Sequence, residues 1–117
     1  MTNQIEKIFD EKIRIVHERE ISRYLRRRLK LILIKFLTDF DRRFKISSLQ
    51  ELKIEVRVAT KEGSKERFEV KSNLFCAEGV FNSRGVGWSL YQTVKKTICS
   101  IKNKLFKKNE IKISDEI

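Results

Sequence analysis

The sequence predicts an α+β fold, a two-layer sandwich in which two helices cover one face of a four-stranded sheet in the order β-α-β-β-β-α. Apolar stripes with helical spacing run through residues 23–44 and 90–108, and residues 52–58 alternate as a strand does. The chain of 117 residues has the size of one domain. Its 40% hydrophobic content, which includes eight Phe, is too high for a disordered basic tail.

The first half of the chain predicts a short strand followed by a long helix. Residues 1–11 form a polar amino extension, in which a short helix is favoured around Phe9. Residues 12–18 fit a strand, and Ser22 is placed to cap a helix over about residues 23–44. The apolar stripe of this helix comprises Leu25, Leu29, Ile32, Leu33, Phe36, Leu37, Phe40 and Phe44.

Three strands in an antiparallel meander are predicted next. Residues 52–58 alternate between apolar and charged side chains, which is typical of a half-buried strand. A turn centred on Gly63 leads to a second strand through Phe68. Residues 74–81 supply a third, less regular strand, and we interpret residues 83–87 as a glycine-bearing loop.

A second amphipathic helix closes the predicted domain. Ser89 and Gln92 form a capping box, which opens a helix over residues 90–108 with Tyr91 at the start of its buried stripe. Trp88 is predicted to anchor the preceding loop on the sheet edge rather than to stack on a base. The predicted organisation is a polar amino extension at 1–11, a single domain at 12–108 and a short flexible tail at 109–117.

Charge is the strongest functional signal in the sequence. The chain has 27 Lys and Arg against 16 Asp and Glu, a formal net charge of +11, and residues 79–109 contain no acid. Neighbouring like charges on a helix repel by a few tenths of a kcal/mol per pair, which an anionic partner would relieve. Guanidinium groups suit phosphate, so nucleic acid is favoured over a membrane surface, and the fold favours RNA. The candidate RNA contacts are Arg23, Arg26, Arg27, Lys30, Arg84, Lys95, Lys96, Lys102 and Lys107.

The sequence predicts a cytoplasmic protein without a membrane anchor. The longest apolar run, residues 29–37, is interrupted by two lysines and is too short for a membrane span. The amino end lacks the apolar core of a signal peptide. Cys76 and Cys99 are too few for a disulfide framework, and we expect both to be buried structural thiols in a reducing compartment.

Enzymatic activity, a metal site, a cofactor and a small-molecule substrate are not expected. The glycines at 85 and 87 lack the third glycine of a dinucleotide fingerprint, and no P-loop is present. His17 is the only histidine, which argues against a metal site. Asp39 and Asp41 point to different faces of a helix and do not form a carboxylate pair. No nucleophile, base and oxyanion stabiliser come together in the pattern.

The last helix resembles the closing helix of the ribosome hibernation promoting factor family. Its pattern is Tyr91-Gln92-Thr93-Val94, then Ile98, Ile101 and Leu105, and a basic end at Phe106-Lys107-Lys108. The first helix is similar to the family's in its Ile21-Ser22 opening and its apolar spacing, and residues 52–58 fall where the family has its second strand. The resemblance covers about residues 12–108.

This resemblance implies a fold related to the double-stranded-RNA-binding domain. It also implies binding in the decoding channel of the small ribosomal subunit, which would block mRNA and tRNA and silence translation. The basic helix faces would then contact ribosomal RNA. Because the chain is similar to the family's short type, we expect a monomer that silences single ribosomes.

Two alternatives remain open at this stage. One is a generic module for double-stranded or structured RNA, for which a strand before the first helix would be unusual. The other is a non-enzymatic assembly or protein-interaction factor that uses Leu31, Ile34 and Phe106 as an apolar patch. Salt separates the two kinds of binding, because contacts to phosphate weaken steeply with salt and apolar association does not.

Overall fold

Within the residues that it describes, the computed structural model contains four strands, three α-helices and one short 3-10 helix. It describes the backbone of residues 2–17, 22–63 and 65–116, and the side chains of residues 5–17, 22–59, 63 and 65–107. The elements are α1 Thr2–Lys12, β1 Ile13–His17, α2 Arg23–Arg43, a short 3-10 helix Ile46–Ser48, β2 Leu49–Glu62, β3 Lys65–Cys76, β4 Gly79–Gly87 and α3 Leu90–Glu116.

The strands form one mixed sheet in the order β1-β2-β3-β4. β1 lies parallel to β2, with Ile13 opposite Leu52, whereas β2, β3 and β4 are antiparallel to their neighbours. The apolar side chains of the four strands and the stripes of α2 and α3 enclose a single core. The predicted two-layer α+β sandwich is therefore confirmed, with β1 and β4 at the two edges of the sheet.

Helix α2 begins and ends close to the predicted residues. The Ser22 side chain accepts a hydrogen bond from the Leu25 N–H at 3.2 Å, as an N-cap does. The buried stripe includes Leu33 and Phe36, and the rings of Phe36, Phe40 and Phe44 follow one another along the helix. The periodic spacing in the sequence thus located this helix and its inward face correctly.

Helix α3 begins at Leu90, as predicted, and is longer than predicted. Ser89 Oγ accepts from the Gln92 N–H at 3.3 Å, and Val94 and Ile101 are among its buried residues. The helix continues to Glu116, whereas the sequence predicted its end at residue 108. Side chains from residue 108 onward, and Ile117 altogether, lie outside the described residues.

The predicted third strand and the loop after it are wrong. β3 continues through Leu74 to Cys76, the chain turns at residues 77–78, and residues 83–87 belong to β4 rather than to a loop. Leu74 is paired with Phe81 across these two strands, so both face the core. The turn at Gly63, with φ of 58°, lies where the sequence predicted it, although Ser64 is outside the described residues.

The glycines of β4 have a packing role. A Cβ at Gly87 would lie 2.6 Å from Thr93 Oγ1, and one at Gly85 would lie 3.2 Å from Thr97 Cγ2. Because real Cβ atoms do not approach other atoms to 2.6 Å, only glycine at 87 lets α3 lie this close to the strand. The glycine-rich composition of residues 83–87 suggested a loop, whereas the close contact between α3 and β4 explains why positions 85 and 87 are glycine.

The amino-terminal segment forms a full helix that packs on the domain. α1 covers Thr2–Lys12, and its Phe9 and Ile5 pack against the core. Lys12 Nζ donates a hydrogen bond to the Leu49 carbonyl oxygen at 2.5 Å. The strand predicted for residues 12–18 covers Ile13–His17, and Glu18 lies outside the described residues.

One further prediction about single side chains is corrected. Cys76 is buried as expected, but Cys99 is exposed because it lies on the outward side of α3. Trp88 directly follows β4 and is 50% exposed, and its role as an anchor on the sheet edge stays a prediction. Within the described part of the chain, no helix is both long and apolar enough to cross a bilayer, and no three potential metal ligands come together.

Candidate nucleic-acid interface

Positive charge is concentrated on the two helices that cover the sheet. We call α2 and residues 90–107 of α3 the helical layer. It contains thirteen Lys and Arg and two Asp, which gives a net charge of +11 and equals the formal charge of the whole chain. The charges of all the other residues therefore sum to zero, so the helical layer carries the whole net positive charge of the chain.

The first group of cations lies along one flank of α2. Arg23, Arg26, Arg27 and Lys30 occupy positions i, i+3, i+4 and i+7, so they share a side of the helix. They line a pocket of about 370 Å³ between α1, β1 and α2, which we call the α2 pocket. The structure therefore brings together four residues that the sequence predicted as RNA contacts.

A second group of cations lies on the outward side of α3. Lys95, Lys96 and Lys104 line a shallow groove of about 520 Å³, which we call the α3 groove. Its other lining residues are Gln92, Cys99, Ser100 and Asn103. Its lining contains no acidic side chain, so a phosphate there would meet ammonium groups and hydrogen-bonding side chains. Lys107 is also exposed, one helical turn beyond Asn103.

A stacked arginine joins the two helices. The Arg28 guanidinium lies 3.9 Å from the centroid of the Tyr91 ring and 5.7 Å from that of Tyr24. Tyr24 is 72% exposed, whereas Tyr91 is half-buried instead of being the core residue that we predicted. Arg28 is not among the contacts that the sequence predicted, although its spacing of four from Tyr24 is a signal that could have identified the stack.

Lys102 is held by a contact within the helical layer. Its Nζ donates a hydrogen bond to Asp39 Oδ2 at 2.5 Å and lies 5.6 Å from the centroid of the Phe106 ring. The hydrogen bond from Lys102 is the main cause that holds the pKa of Asp39 below its ordinary value. Lys102 thus pairs α3 with α2, and it does not line the α3 groove with Lys95.

Arg84 lies on the opposite side of the sheet from the helical layer. It projects from β4 toward Glu69, and Arg84 Nη2 and Arg57 Nη2 each lie 3.0 Å from Glu69 Oε2. Lys71 Nζ lies 3.8 Å from the other oxygen of the same carboxylate. The structure therefore separates Arg84 from the other eight predicted contacts, all of which are on the two helices.

The Glu69 carboxylate is nearly buried beneath these cations, with 5% of the residue exposed. Burial raises the pKa of Glu69, but hydrogen bonds from Arg84 and Arg57 outweigh this effect and hold the pKa below its ordinary value. The carboxylate therefore stays ionised at neutral pH. It neutralises part of the positive charge on this face of the sheet.

Comparisons with known proteins give structural neighbours only. No family model matches the chain, and a search of curated proteins finds no match. The fold is similar to that of a ribosomal subunit interface protein from Coxiella burnetii, with a TM-score of 0.64 and 16% identity over 85% of this chain and 98% of that chain. It is also similar to the N-terminal domain of Protein Y from Thermus thermophilus, with a TM-score of 0.50 and 20% identity over 80% of this chain and 94% of that chain.

Fold and charge together define a small α+β domain with a cationic helical layer, a class suited to polyanion binding. The particular fold is the one shared with the ribosomal subunit interface protein and with the Protein Y domain. The resemblance noted in the sequence is thereby confirmed at the level of the fold.

Proposed function

We propose that this protein is a ribosome hibernation factor that binds the decoding channel of the small ribosomal subunit through its helical layer. It acts there as a monomer by occupying the space of mRNA and tRNA, without catalysis, and it resides on ribosomes in the cytoplasm. The observation that carries this proposal is the segregation of charge, since the helical layer alone has the full net charge of +11.

The order of the elements favours this function over a generic double-stranded-RNA module. Such modules begin with a helix that leads directly into an antiparallel meander. Here β1 precedes α2 and lies parallel to β2, in the arrangement that the resemblance implies. Because β1 and β2 are parallel, α2 must cross over one face of the sheet to connect them. This crossover distinguishes the topology from that of a module that begins with a helix.

The alternative of an apolar docking patch receives less support. Leu31 is 69% exposed on α2, but Phe106 lies against Phe44 with ring centroids 6.1 Å apart. The Arg43 guanidinium covers Phe106 at 4.6 Å from its ring centroid. Leu31, Ile34 and Phe106 therefore do not present the single apolar surface that a protein partner would need.

A pair of charge reversals tests the proposal. Lys95→Glu with Lys96→Glu changes two exposed residues of the α3 groove, and it leaves the Lys102–Asp39 contact intact. We expect this variant to cosediment with small ribosomal subunits at least about tenfold more weakly, because two charge-assisted phosphate contacts are lost. It should also fail to inhibit translation in a purified system.

The matched control is Arg14→Glu with Arg67→Glu, which changes the net charge equally. Both residues are exposed and lie on the sheet face that the helices do not cover. This control should bind subunits as the unmodified protein does. If both variants lost binding to the same extent, net charge alone would explain the association and the assignment to the helical layer would fail.

A further inference from the structure

The α2 pocket combines an apolar floor with a cationic rim. Phe9 from α1 and Ile13 and Ile15 from β1 form the floor, and four cations of α2 surround it. Its volume of about 370 Å³ lies within the range of about 300–1,000 Å³ that is typical of small-ligand sites. The pocket is therefore larger and more apolar than a site for a single inorganic anion requires.

The cations at the rim are available to a ligand. Among the described side chains, no carboxylate lies within 4.0 Å of Arg23, Arg26, Arg27 or Lys30 to form an ion pair. Arg26 Nη2 lies 3.3 Å from His17 Nε2, and Lys30 Nζ lies 5.4 Å from the centroid of the Phe9 ring. These contacts orient the cations over the floor without neutralising them.

The chemistry of floor and rim identifies the ligand class. A free phosphate would satisfy the rim and leave the apolar floor in water. A purely apolar ligand would leave four cations close together without an anion. A nucleotide satisfies both, since bases stack on aromatic side chains and guanidinium planes while their phosphates pair with Arg and Lys.

We propose that the α2 pocket holds one nucleotide, with its base against Phe9, Ile13 and Ile15 and its phosphate at Arg23, Arg27 and Lys30. The nucleotide is either a free mononucleotide or an unstacked nucleotide of ribosomal RNA. Only the second source rests on the proposed function, and the pocket itself is assigned from its own lining.

Titrations of the full chain with AMP, inorganic phosphate and adenosine at constant ionic strength test the pocket. The isoleucine methyl signals of Ile13 and Ile15 in NMR spectra report occupancy of the floor. We expect AMP to bind at least about tenfold more tightly than phosphate, which corresponds to ~1.4 kcal/mol of base stacking. Equal affinities for AMP and phosphate would overturn the proposal, because only the charge would then be recognised.

Variants separate the floor from the rim. Phe9→Leu keeps an apolar side chain but removes the ring, so it should weaken AMP about tenfold and leave phosphate binding unchanged. Arg27→Glu should weaken both ligands, and Arg67→Glu, which makes the same charge change on the sheet face that the helices do not cover, should weaken neither. A loss of AMP affinity in Arg67→Glu as large as that in Arg27→Glu would contradict a defined site.

Ribosome cosedimentation identifies the source of the nucleotide. If ribosomal RNA supplies it, saturating AMP and the Phe9→Leu change will both weaken cosedimentation. If the ligand is a free nucleotide, neither will. Equal binding of AMP and phosphate would refute the nucleotide pocket and leave the proposed function standing. Undiminished ribosome binding by the Lys95→Glu, Lys96→Glu variant would refute the proposed function and leave the pocket standing.

Discussion

Glu69 shows how one residue can organise an exposed sheet face. Its Oε2 atom lies 3.0 Å from the guanidinium groups of Arg57 on β2 and Arg84 on β4, so this carboxylate on β3 links three strands through side chains. Unlike most surface ion pairs, which contribute little, this carboxylate is shared by several cations and is nearly buried. Its ionisation should therefore influence stability.

We expect Glu69 to make the protein less stable in acid. Because its folded-state pKa is lowered from 4.5, its stabilising effect is complete above that value and is lost as the pH falls through the lowered pKa. Glu69→Gln should lower the free energy of unfolding at about pH 7 and show a weaker dependence on pH below about 4.5. Urea unfolding at several pH values measures both effects.

Glu55→Gln is the control for this experiment, because Glu55 pairs only with Lys53 among the ion pairs of the described residues and its side chain is 41% exposed. It should behave like the unmodified protein. Asp39, whose pKa is also lowered, keeps some acid sensitivity in every variant. Equal pH dependence in Glu69→Gln and the unmodified protein would show that the Glu69 cluster has no energetic role.

Phe36→Ala should destabilise the protein by about 3–5 kcal/mol. Phe36 is 3% exposed, and its ring centroid lies 6.2 Å from that of Phe40, so truncation leaves a cavity in the core. Leu31→Ala, on the exposed side of the same helix, should stay within about 0.5 kcal/mol of the unmodified protein. Similar unfolding midpoints for the two variants would contradict the observed orientation of α2.

Lys102 and Arg84 have partners within the fold that the sequence did not indicate, and the reason is the same for both. Lys102 has the spacing of an outward residue, but its long side chain reaches Asp39, which is 63 residues away in sequence. The pairing of Arg84 with Glu69 likewise depends on which strands are neighbours. Helical and strand periodicity indicates the direction of a Cβ, whereas the partner of a long charged side chain is decided by tertiary packing.

At the scale of elements, the contact between α3 and β4 depends on the absence of side chains on the strand. Thr93 Oγ1 donates a hydrogen bond to the Ser89 carbonyl oxygen at 2.7 Å, which fixes the hydroxyl next to Gly87. Thr97 and Ser72 hydroxyls are hydrogen-bonded to each other at 2.9 Å between α3 and β3. Small and hydroxyl-bearing residues thus set the distance between helix and sheet.

Gly87→Ala should destabilise the protein by about 1–3 kcal/mol, because the new methyl group would overlap Thr93 Oγ1. Combining it with Thr93→Ala should recover part of that loss, since the second change removes the atom that obstructs the methyl group. A double-mutant cycle measured by thermal or urea unfolding should give a coupling energy of at least about 0.5 kcal/mol. Strictly additive effects would show that the two side chains do not collide.

The elements differ in how well the sequence predicted them. α2 and α3 have apolar stripes and capping residues, so their starts could be read directly from spacing. β4 has Asn, Ser, Arg and three Gly in nine residues, a composition that resembles a loop. Its strand conformation depends on pairing with β3 and on contact with α3, neither of which leaves a local signal.

At the scale of the whole molecule, charge segregation predicts strong salt dependence of ribosome binding. If Arg23, Arg26, Arg27, Lys30, Lys95 and Lys96 each contact a phosphate, the logarithm of affinity should fall with the logarithm of salt concentration with a slope of about −4 to −5. The Lys95→Glu, Lys96→Glu variant should reduce the magnitude of that slope by about 2. A slope near zero would favour apolar association instead.

The free protein should be a monomer. Each copy carries a net charge of +11, and the helical layer accounts for all of it. Two copies therefore repel each other most strongly when their helical layers face each other. Sedimentation velocity at low salt should give a species of about 14.0 kDa. A concentration-dependent dimer would contradict this prediction, as would paired ribosomes formed by the protein alone.

The overall architecture was predictable because it depends on patterns that repeat over many residues. Two helical stripes and one alternating strand were sufficient for the layers and most of the element order. The α2 pocket and the Arg28–Tyr91 stack were not predictable, because the first depends on α1 lying beside α2 and the second on α2 lying beside α3. Both contacts join segments that no local pattern connects.

The asymmetric distribution of charge between the helical layer and the rest of the chain affects how the protein orients in an electric field. Because the helical layer carries the whole net charge of +11, positive charge is displaced from the sheet toward the helices, which gives the molecule an electric dipole across its two layers. If the protein binds ribosomal RNA as proposed, the field of the phosphates exerts a torque on this dipole and turns the helices toward the RNA before any contact forms. More of the diffusional encounters then begin in a productive orientation, so the asymmetry accelerates association in addition to its effect on affinity.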